Sequence, residues 1–312
     1  MTDEVSINIL TLNCWGIPCV SKNRVARMTA IAKEFTTDNY DIICLQEVWS
    51  VNDFKMIEAM VQEQLPYSHY FYSGVIGSGI CILSKFPIKN ILFHKWPLNG
   101  YVHKIHHGDW FGGKGVGLCR LQVHDMNINM YIAHLHAEYN RHNDEYTAHR
   151  VLQAFDTAQF IRMTCGSADS VILADACSTS LSNMGTNVCA NNSYTSSKLA
   201  RKFPEGKRID HILYKSKNNV KIEVTNFQHP LPKLVPHKNF SYSDHEAIMA
   251  TLKFSPGESQ SANIEVKDSL KEAVNICETS LKYMRRQRIW QTSATTDQDI
   301  TRTTPYKGHR NP

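Results

Sequence analysis

The 312-residue chain has no run of the roughly 18 consecutive apolar residues that a membrane-spanning helix needs, so no integral membrane span is expected. Residues 1–10 lack the basic segment and apolar stretch of a secretory leader. The nine cysteines are an odd number and show no paired short spacing of a zinc site or disulfide framework. Cys44, Cys81 and Cys119 lie in apolar runs and read as reduced core thiols of a cytosolic-facing protein. That reading outweighs the N-x-S sequons at Asn191 and Asn239. No internal repeat is visible. Charge of one sign is also scarce: 34 Lys and Arg against 29 Asp and Glu leave +5. This mildly basic balance suits a phosphate-bearing substrate or an anionic membrane surface without identifying either. It is weak for a nucleic-acid groove, and no nucleic-acid partner is expected.

Hydrophobic residues make up 42% and charged residues 20%, enough apolar material for a sizeable core. β-rich runs alternate with helical patterns. Strands are expected at 6–12, 41–46, 79–84, 90–95, 116–123, 127–134, 170–174, 209–214, 220–228 and 246–254. Helices are expected at 23–36 (Val25, Met28, Ile31 and Phe35 on one face), 52–64 and 143–163 (Tyr146, Val151, Leu152, Phe155 and Phe160 on one face). Strands joined both by hairpins and by helices fit two packed sheets with outer helices. Composition turns polar at Ser255, which puts one domain at 1–255. Residues 256–290 read as an amphipathic helix with a basic end at Lys282, Arg285, Arg286 and Arg288, and 291–312 as a polar, disordered tail.

Polar residues capable of chemistry fall where strands end. Asn13 closes the first strand, Glu47 follows the buried DIICLQ run, His134 and His136 close MYIAHLHAEY, and Asp244–His245 sit in YSDHEAIM after Asp210 in RIDHILY. Each has an ordinary alternative: a turn-forming Asn, a solvated carboxylate, a satisfied core His. Glu47 follows so apolar a strand that an unpaired charge there is costly. Lys114 lies in FGGKGVG, where glycines let backbone amides approach a phosphate; a plain β-turn explains the same residues. The spacing is not that of a nucleotide phosphate loop. Trp110 and Phe111 suit either a lipid interface or core packing.

The order of these signals resembles the endonuclease/exonuclease/phosphatase superfamily. GDWFGGKGVG (108–117), HLHAEYNRHNDEYTAHR (134–150), CANNSYTSSKLARKFPEGKRIDHILY (189–214) and YSDHEA (242–247) narrow the resemblance to neutral sphingomyelinases, over residues 5–290. The resemblance implies a four-layer αββα sandwich of two mixed β-sheets. It also implies Mg²⁺-dependent hydrolysis of sphingomyelin to ceramide and phosphocholine at the cytoplasmic face of membranes, with peripheral membrane contact and Mn²⁺ as an alternative cation. By it, Glu47 and Asn13 hold the metal, and His245 is the general base, oriented by Asp210. Asp244 lies near the metal's water shell, and His134 steadies the phosphoryl oxygens. Asn13, Lys114 and His136 contact the phosphate. A hard oxygen-liganded cation and an imidazole that titrates near neutrality suit an anionic phosphodiester. Another phosphodiester hydrolase of the superfamily, a nuclease or a phosphoinositide phosphatase, is the same-class rival. A non-catalytic lipid- or metal-binding truncated isoform is the rival from a different class.

The chain departs from the family at VILADACSTS. A G-D-x-N motif belongs after this strand, its Asp and Asn binding phosphate and attacking water. Either Asp175 is that Asp, with Cys177 in place of the Asn, or the motif and a following block are missing. The second alignment fits better and implies strongly reduced hydrolysis. The family's vertebrate-like members also carry two membrane-spanning helices after a segment like 266–290, where this chain has a polar tail.

Overall fold

The computed structural model describes residues 4–37, 39–101, 110–139, 144–166, 168–176, 185–216, 220–257, 274–279 and 282. Of the expected helix over 256–290, only 256–257, a helical 274–279 and residue 282 are among them; the rest of it and the tail at 291–312 lie outside. In chain order the elements are β1 (Val5–Asn13), α1 (Arg24–Glu34), β2 (Ile42–Gln46), α2 (Val51–Val61), β3 (Tyr67–Tyr70), β4 (Cys81–Ser84), β5 (Ile88–Lys95) and β6 (Gly115–Val123). They continue with β7 (Met126–His134), α3 (Thr147–Thr164), β8 (Ser170–Ala176), α4 (Ser197–Lys202), β9 (Asp210–Ser216), β10 (Val220–Gln228) and β11 (Ile248–Pro256).

Two mixed sheets form. One runs β10-β11-β1-β2-β4-β3, the other β5-β6-β7-β8-β9. Among the described residues, only β1–β2 and β7–β8 pair in parallel, and each crosses over through a helix, α1 or α3. Alternation along the strands separates three apolar layers. Leu10, Leu12, Ile43 and Leu45 pack on Met28 and Ile31 of α1 and Ile57 of α2. Ile7, Ile9, Ile42 and Cys44 meet Ile128, Met130, Ile132 and Ile172 between the sheets. Val116, Leu118, Tyr131 and Ala133 face the other way, with Phe160 and Ile161 of α3. The result is the expected αββα sandwich. The buried cysteines Cys14, Cys44, Cys81 and Cys119 are free thiols.

Two helix faces differ from expectation. Val25 is exposed, and the buried stripe of α1 includes Arg27 instead. On α3, Leu152 and Phe155 are exposed, while Ala148, His149, Gln153 and Thr157 are buried. Gln153 earns its burial by joining two loops: its Oε1 accepts from the His136 N–H (2.9 Å) and its Nε2 donates to the Leu98 carbonyl (2.9 Å). Two elements were not expected at all. β3 has four residues, and the six-residue α4 has no buried side chain; both are too short for a periodic signal.

Candidate active site

The site forms at one end of the sandwich, between the sheets. Asn13 shares the parity of Ile7 and Ile9, so the last residue of β1 turns toward the space between the layers. Gln46 does the same on β2 and its Nε2 donates to the Thr11 hydroxyl (2.8 Å). Glu47 then leaves β2 with φ +55°, a left-handed conformation that costs a non-glycine residue energy and is tolerated where neighbours fix it. The neighbours here are backbone: Gly16 N–H donates to the Glu47 carbonyl (2.9 Å), and Val48 N–H to the Gly79 carbonyl (2.9 Å). A Cβ on Gly16 would run into the Glu47 backbone carbonyl oxygen, so only glycine allows this approach.

Asn13 Nδ2 donates to Glu47 Oε1 (2.9 Å), and Asn13 Oδ1 accepts from the Trp15 N–H (2.9 Å). His134 Nε2 stands 3.6 Å from the same Glu47 oxygen. Glu47 Oε2 is buried and has no hydrogen-bond partner. Burial and the Asp244 carboxylate push the Glu47 pKa up; Asn13, Lys114 and His245 pull the other way.

From the second sheet, Asp210 opens β9 almost fully buried and its Oδ2 accepts from His245 Nδ1 (2.8 Å). Burial works against a charged imidazole, but Asp210, then Asp244 and Glu47, outweigh it and raise the His245 pKa to about 9. Glu47 and His245, 198 positions apart in sequence, are therefore neighbours that act on one another.

The loop carrying Asp244 and His245 is held at several points. Ser243 Oγ donates to the Asn13 carbonyl (2.6 Å). Asn192 Nδ2 donates to the Ser243 carbonyl (2.9 Å) and Asn187 Nδ2 to the Asp244 carbonyl (3.2 Å). Arg27 is a positioning residue that sequence reasoning missed. Fully buried, it donates to the carbonyls of Cys14 (2.7 Å), Trp15 (2.7 Å) and Tyr242 (3.1 Å), and its guanidinium lies over the Trp15 ring. It ties the turn after Asn13 to the chain just before Asp244. An arginine on an apolar helix face gives no sequence signal that distinguishes this from a solvated charge.

Glu47, His134 and Lys114 line one cavity of about 700 Å³, together with Trp49, Tyr70 and Tyr139. His136 is not in that lining. It stacks on Tyr146 (centroids 3.9 Å apart) beside His149 and Tyr139. Of the glycines around Lys114, Gly112 bridges Gly74, and Gly113 N–H donates to the Gly77 carbonyl (2.9 Å). Trp110 is half-exposed, edge-on to Phe111.

Asp175 lies on the other side of its sheet. It pairs in register with Ala133 and His211, whereas His134 and Asp210 both pair with Ala176. Val171 and Leu173, of the same parity as Asp175, pack in the α3 layer, and Ile172 and Ala174 pack between the sheets. The residue in line with the site on β8 is thus Ala176.

The donor set suits a hard cation: the orphaned, buried Oε2 of Glu47, with Asn13 Oδ1 retaining a lone pair beside it. Among the described residues, no group of three or more His, Cys, Asp or Glu side chains is placed to hold a metal. One carboxylate with water completing the shell is the arrangement typical of Mg²⁺ rather than Zn²⁺.

Residues 10–245 match the Endonuclease/Exonuclease/phosphatase family, and the chain belongs to it. It is 48% identical over 271 residues to a Drosophila melanogaster relative assigned to the neutral sphingomyelinases, covering 80% of this chain and 61% of that protein. It is 40% identical over 275 residues to Homo sapiens sphingomyelin phosphodiesterase 2, covering 80% and 65%. The chain thus spans somewhat under two thirds of the length of these relatives. The fold is shared with sphingomyelinase C from Streptomyces griseocarneus (TM-score 0.59, 16% identity, 79% of this chain and 99% of that one). It is also shared with a Staphylococcus aureus beta toxin variant crystallised with bound magnesium ions (TM-score 0.56, 16% identity, 79% and 99%). No helix among the described residues is long and apolar enough to cross a membrane.

Proposed function

We propose that residues 1–255 carry the phosphodiesterase site of a neutral sphingomyelinase, which releases phosphocholine from sphingomyelin at a cytosolic-facing membrane, in a form with strongly reduced turnover. The observation that carries the chemistry is the His245–Asp210 pair within electrostatic reach of Glu47. Asp210 fixes the proton on Nδ1 and leaves Nε2 to accept one from water. Glu47, with Asn13, would hold Mg²⁺ (or Mn²⁺). Mg²⁺, when bound, supplies charge neutralisation to the phosphodiester and offsets the carboxylates that keep the His245 proton bound. Asp244 completes the acidic end of the site. Lys114 and His134 line the cavity, Lys114 to neutralise and His134 to hydrogen-bond the phosphoryl oxygens. A single lysine among mostly apolar walls favours a singly charged phosphodiester over the polyanion of a nuclease or phosphoinositide phosphatase.

Reduced turnover follows from β8. With Asp175 on the α3 face and alanine at the position in register with His134 and Asp210, that strand brings no carboxylate to the site. This supports the reading in which the G-D-x-N motif and a following block are missing. The outer face of the same strands supports it too: Leu213, in register with Leu173, is exposed on β9, beside a groove of about 520 Å³ between α3 and β8–β9. Loss of a pair worth the usual roughly 2–4 kcal/mol per group lowers the rate by several orders of magnitude.

The test is choline-headgroup release from sphingomyelin by the purified chain, with Mg²⁺ and with EDTA, beside a melting curve in both. Mg²⁺ is expected to raise the melting temperature of the wild type and not of Glu47→Gln, with slow, Mg²⁺-dependent release. Turnover at the rate of an intact enzyme refutes the impairment. Mg²⁺ stabilisation that persists in Glu47→Gln refutes the metal assignment.

A further inference from the structure

The segment between β3 and β4 has an unusual build. Tyr72, Val75 and Ile76 are 66%, 85% and 46% exposed, yet the loop that carries them is tightly fixed. Gly74 bridges Gly112, and Gly113 N–H donates to the Gly77 carbonyl (2.9 Å). Gly74 and Gly77 have φ of +58° and +93°, which side chains resist. A Cβ on Gly74 would lie 2.6 Å from Gly113 N and 2.8 Å from Gly113 Cα. Two loops therefore meet backbone to backbone, and the chain that holds Lys114 in the cavity also holds three apolar side chains out in water. A loop ordered at such steric expense, with its largest apolar groups facing solvent, is shaped to meet another surface.

These side chains border the cavity. Tyr72, Val75 and Ile76 line the same 700 Å³ space as Glu47, Lys114 and His134, with Ile17 and Tyr139, both also exposed, completing the rim. Among the described residues that line the cavity, Glu47, on its floor, is the only carboxylate.

We propose that the 72–77 loop is a lipid-docking element that seats the cavity mouth on a bilayer, its Val75 and Ile76 side chains entering the acyl boundary. The proposal rests on the phosphodiesterase reading and adds the surface by which the site reaches its substrate. The occupant follows from position. A second copy or a protein partner seated on this rim would cap Glu47, His134 and Lys114, whereas a bilayer presents its phosphodiesters to them. Tyr72 and Tyr139, each an apolar ring with a polar tip, match the depth at which such rings settle between headgroups and acyl chains.

Co-sedimentation of the full chain with phosphatidylcholine vesicles, with and without sphingomyelin and in EDTA, tests this. The wild type is expected to bind both. Val75→Asp/Ile76→Asp is expected to reduce partitioning by about tenfold or more, with only a small change in melting temperature because Val75 is 85% and Ile76 46% exposed. Val75→Leu is expected to bind as the wild type. Wild-type chain that stays in the supernatant, or a double aspartate variant that still sediments, overturns the proposal. So does sedimentation equilibrium showing a wild-type dimer that the same variant dissociates. Vesicle binding that depends on Val75 and Ile76 without any headgroup release would leave the docking surface standing and count against the phosphodiesterase reading alone.

Discussion

Asp175 and Asp210 sit on neighbouring strands, both buried, one register step apart, and they have opposite fates. Asp210 pairs with Ala176 and Asp175 with His211, so alternation sends one aspartate between the sheets and the other toward the α3 layer. Asp210 accepts a hydrogen bond from His245 Nδ1; the carboxylates that raise the His245 pKa are Asp210, Asp244 and Glu47. In a strand, a shift of one position exchanges faces completely, so an aspartate of the right type one residue early contributes nothing to a site on the other face. Composition near a strand end is therefore a weaker guide to a site than parity.

The largest effect expected on this comparison comes from Asp210→Ala. The imidazole of His245 would lose its buried counter-ion, and its pKa would fall, with burial then opposed only by Asp244 and Glu47. Breaking such a pair costs about 3–5 kcal/mol, to be read from urea unfolding at pH 6. An equal loss from Asp175→Asn would break the comparison.

The same pair sets a pH dependence. Without metal, the folded-state pKa of His245 is about 9 against an ordinary 6.5, so the folded state binds the proton more tightly. Its stabilisation is complete below pH 6.5 and declines as pH rises to 9, by about 3 kcal/mol in all. Glu47, its pKa also raised, acts with the same sign at more acidic pH. Unfolding free energies measured in EDTA from pH 6 to 10 should fall through this window in the wild type. Asp210→Ala should shrink the decline, and a decline of unchanged size in that variant would assign it to another group.

Much of this architecture was legible beforehand, because strands that alternate or run wholly apolar announce themselves, and because a polar residue closing an apolar strand is costly unless used. Asn13, Glu47, His134, Asp210, Asp244 and His245 all come to one end of the sandwich. What stayed hidden depends on packing in three dimensions. Arg27 is buried because four carbonyls, of Cys14, Trp15, Lys22 and Tyr242, converge on it. His136 is two residues from His134 but, beyond the end of β7, joins the Tyr146 stack. The α3 face was misassigned because Gln153 and His149 outrank Leu152 and Phe155 for burial when loops need their hydrogen-bonding groups or rings. The glycines around Lys114 gave no sign of their partners, although Gly112 and Gly113 meet Gly74 and Gly77 backbone to backbone.

Ala176→Asp should sharpen the contrast between the two aspartates. It places a carboxylate in register with His134 and Asp210, and a group that joins the charge-neutralising set raises rates by about tenfold or more. Headgroup release in Mg²⁺ should increase over the wild type, with a larger Mg²⁺-induced rise in melting temperature. No gain in either would mean that the position in register does not reach the site.

The smallest expected effect is the most pointed. Asp175→Asn keeps the shape and removes the charge of the only aspartate on β8. If parity governs, headgroup release changes by less than about threefold, since nothing that touches the reacting phosphate is altered. The His245 imidazole should also titrate at the wild-type pH by NMR, because the charges that raise its pKa lie elsewhere. A hundredfold loss of release with the imidazole unmoved would mean that Asp175 turns into the cleft during turnover, which would restore the ungapped alignment with Asp175 as the motif aspartate.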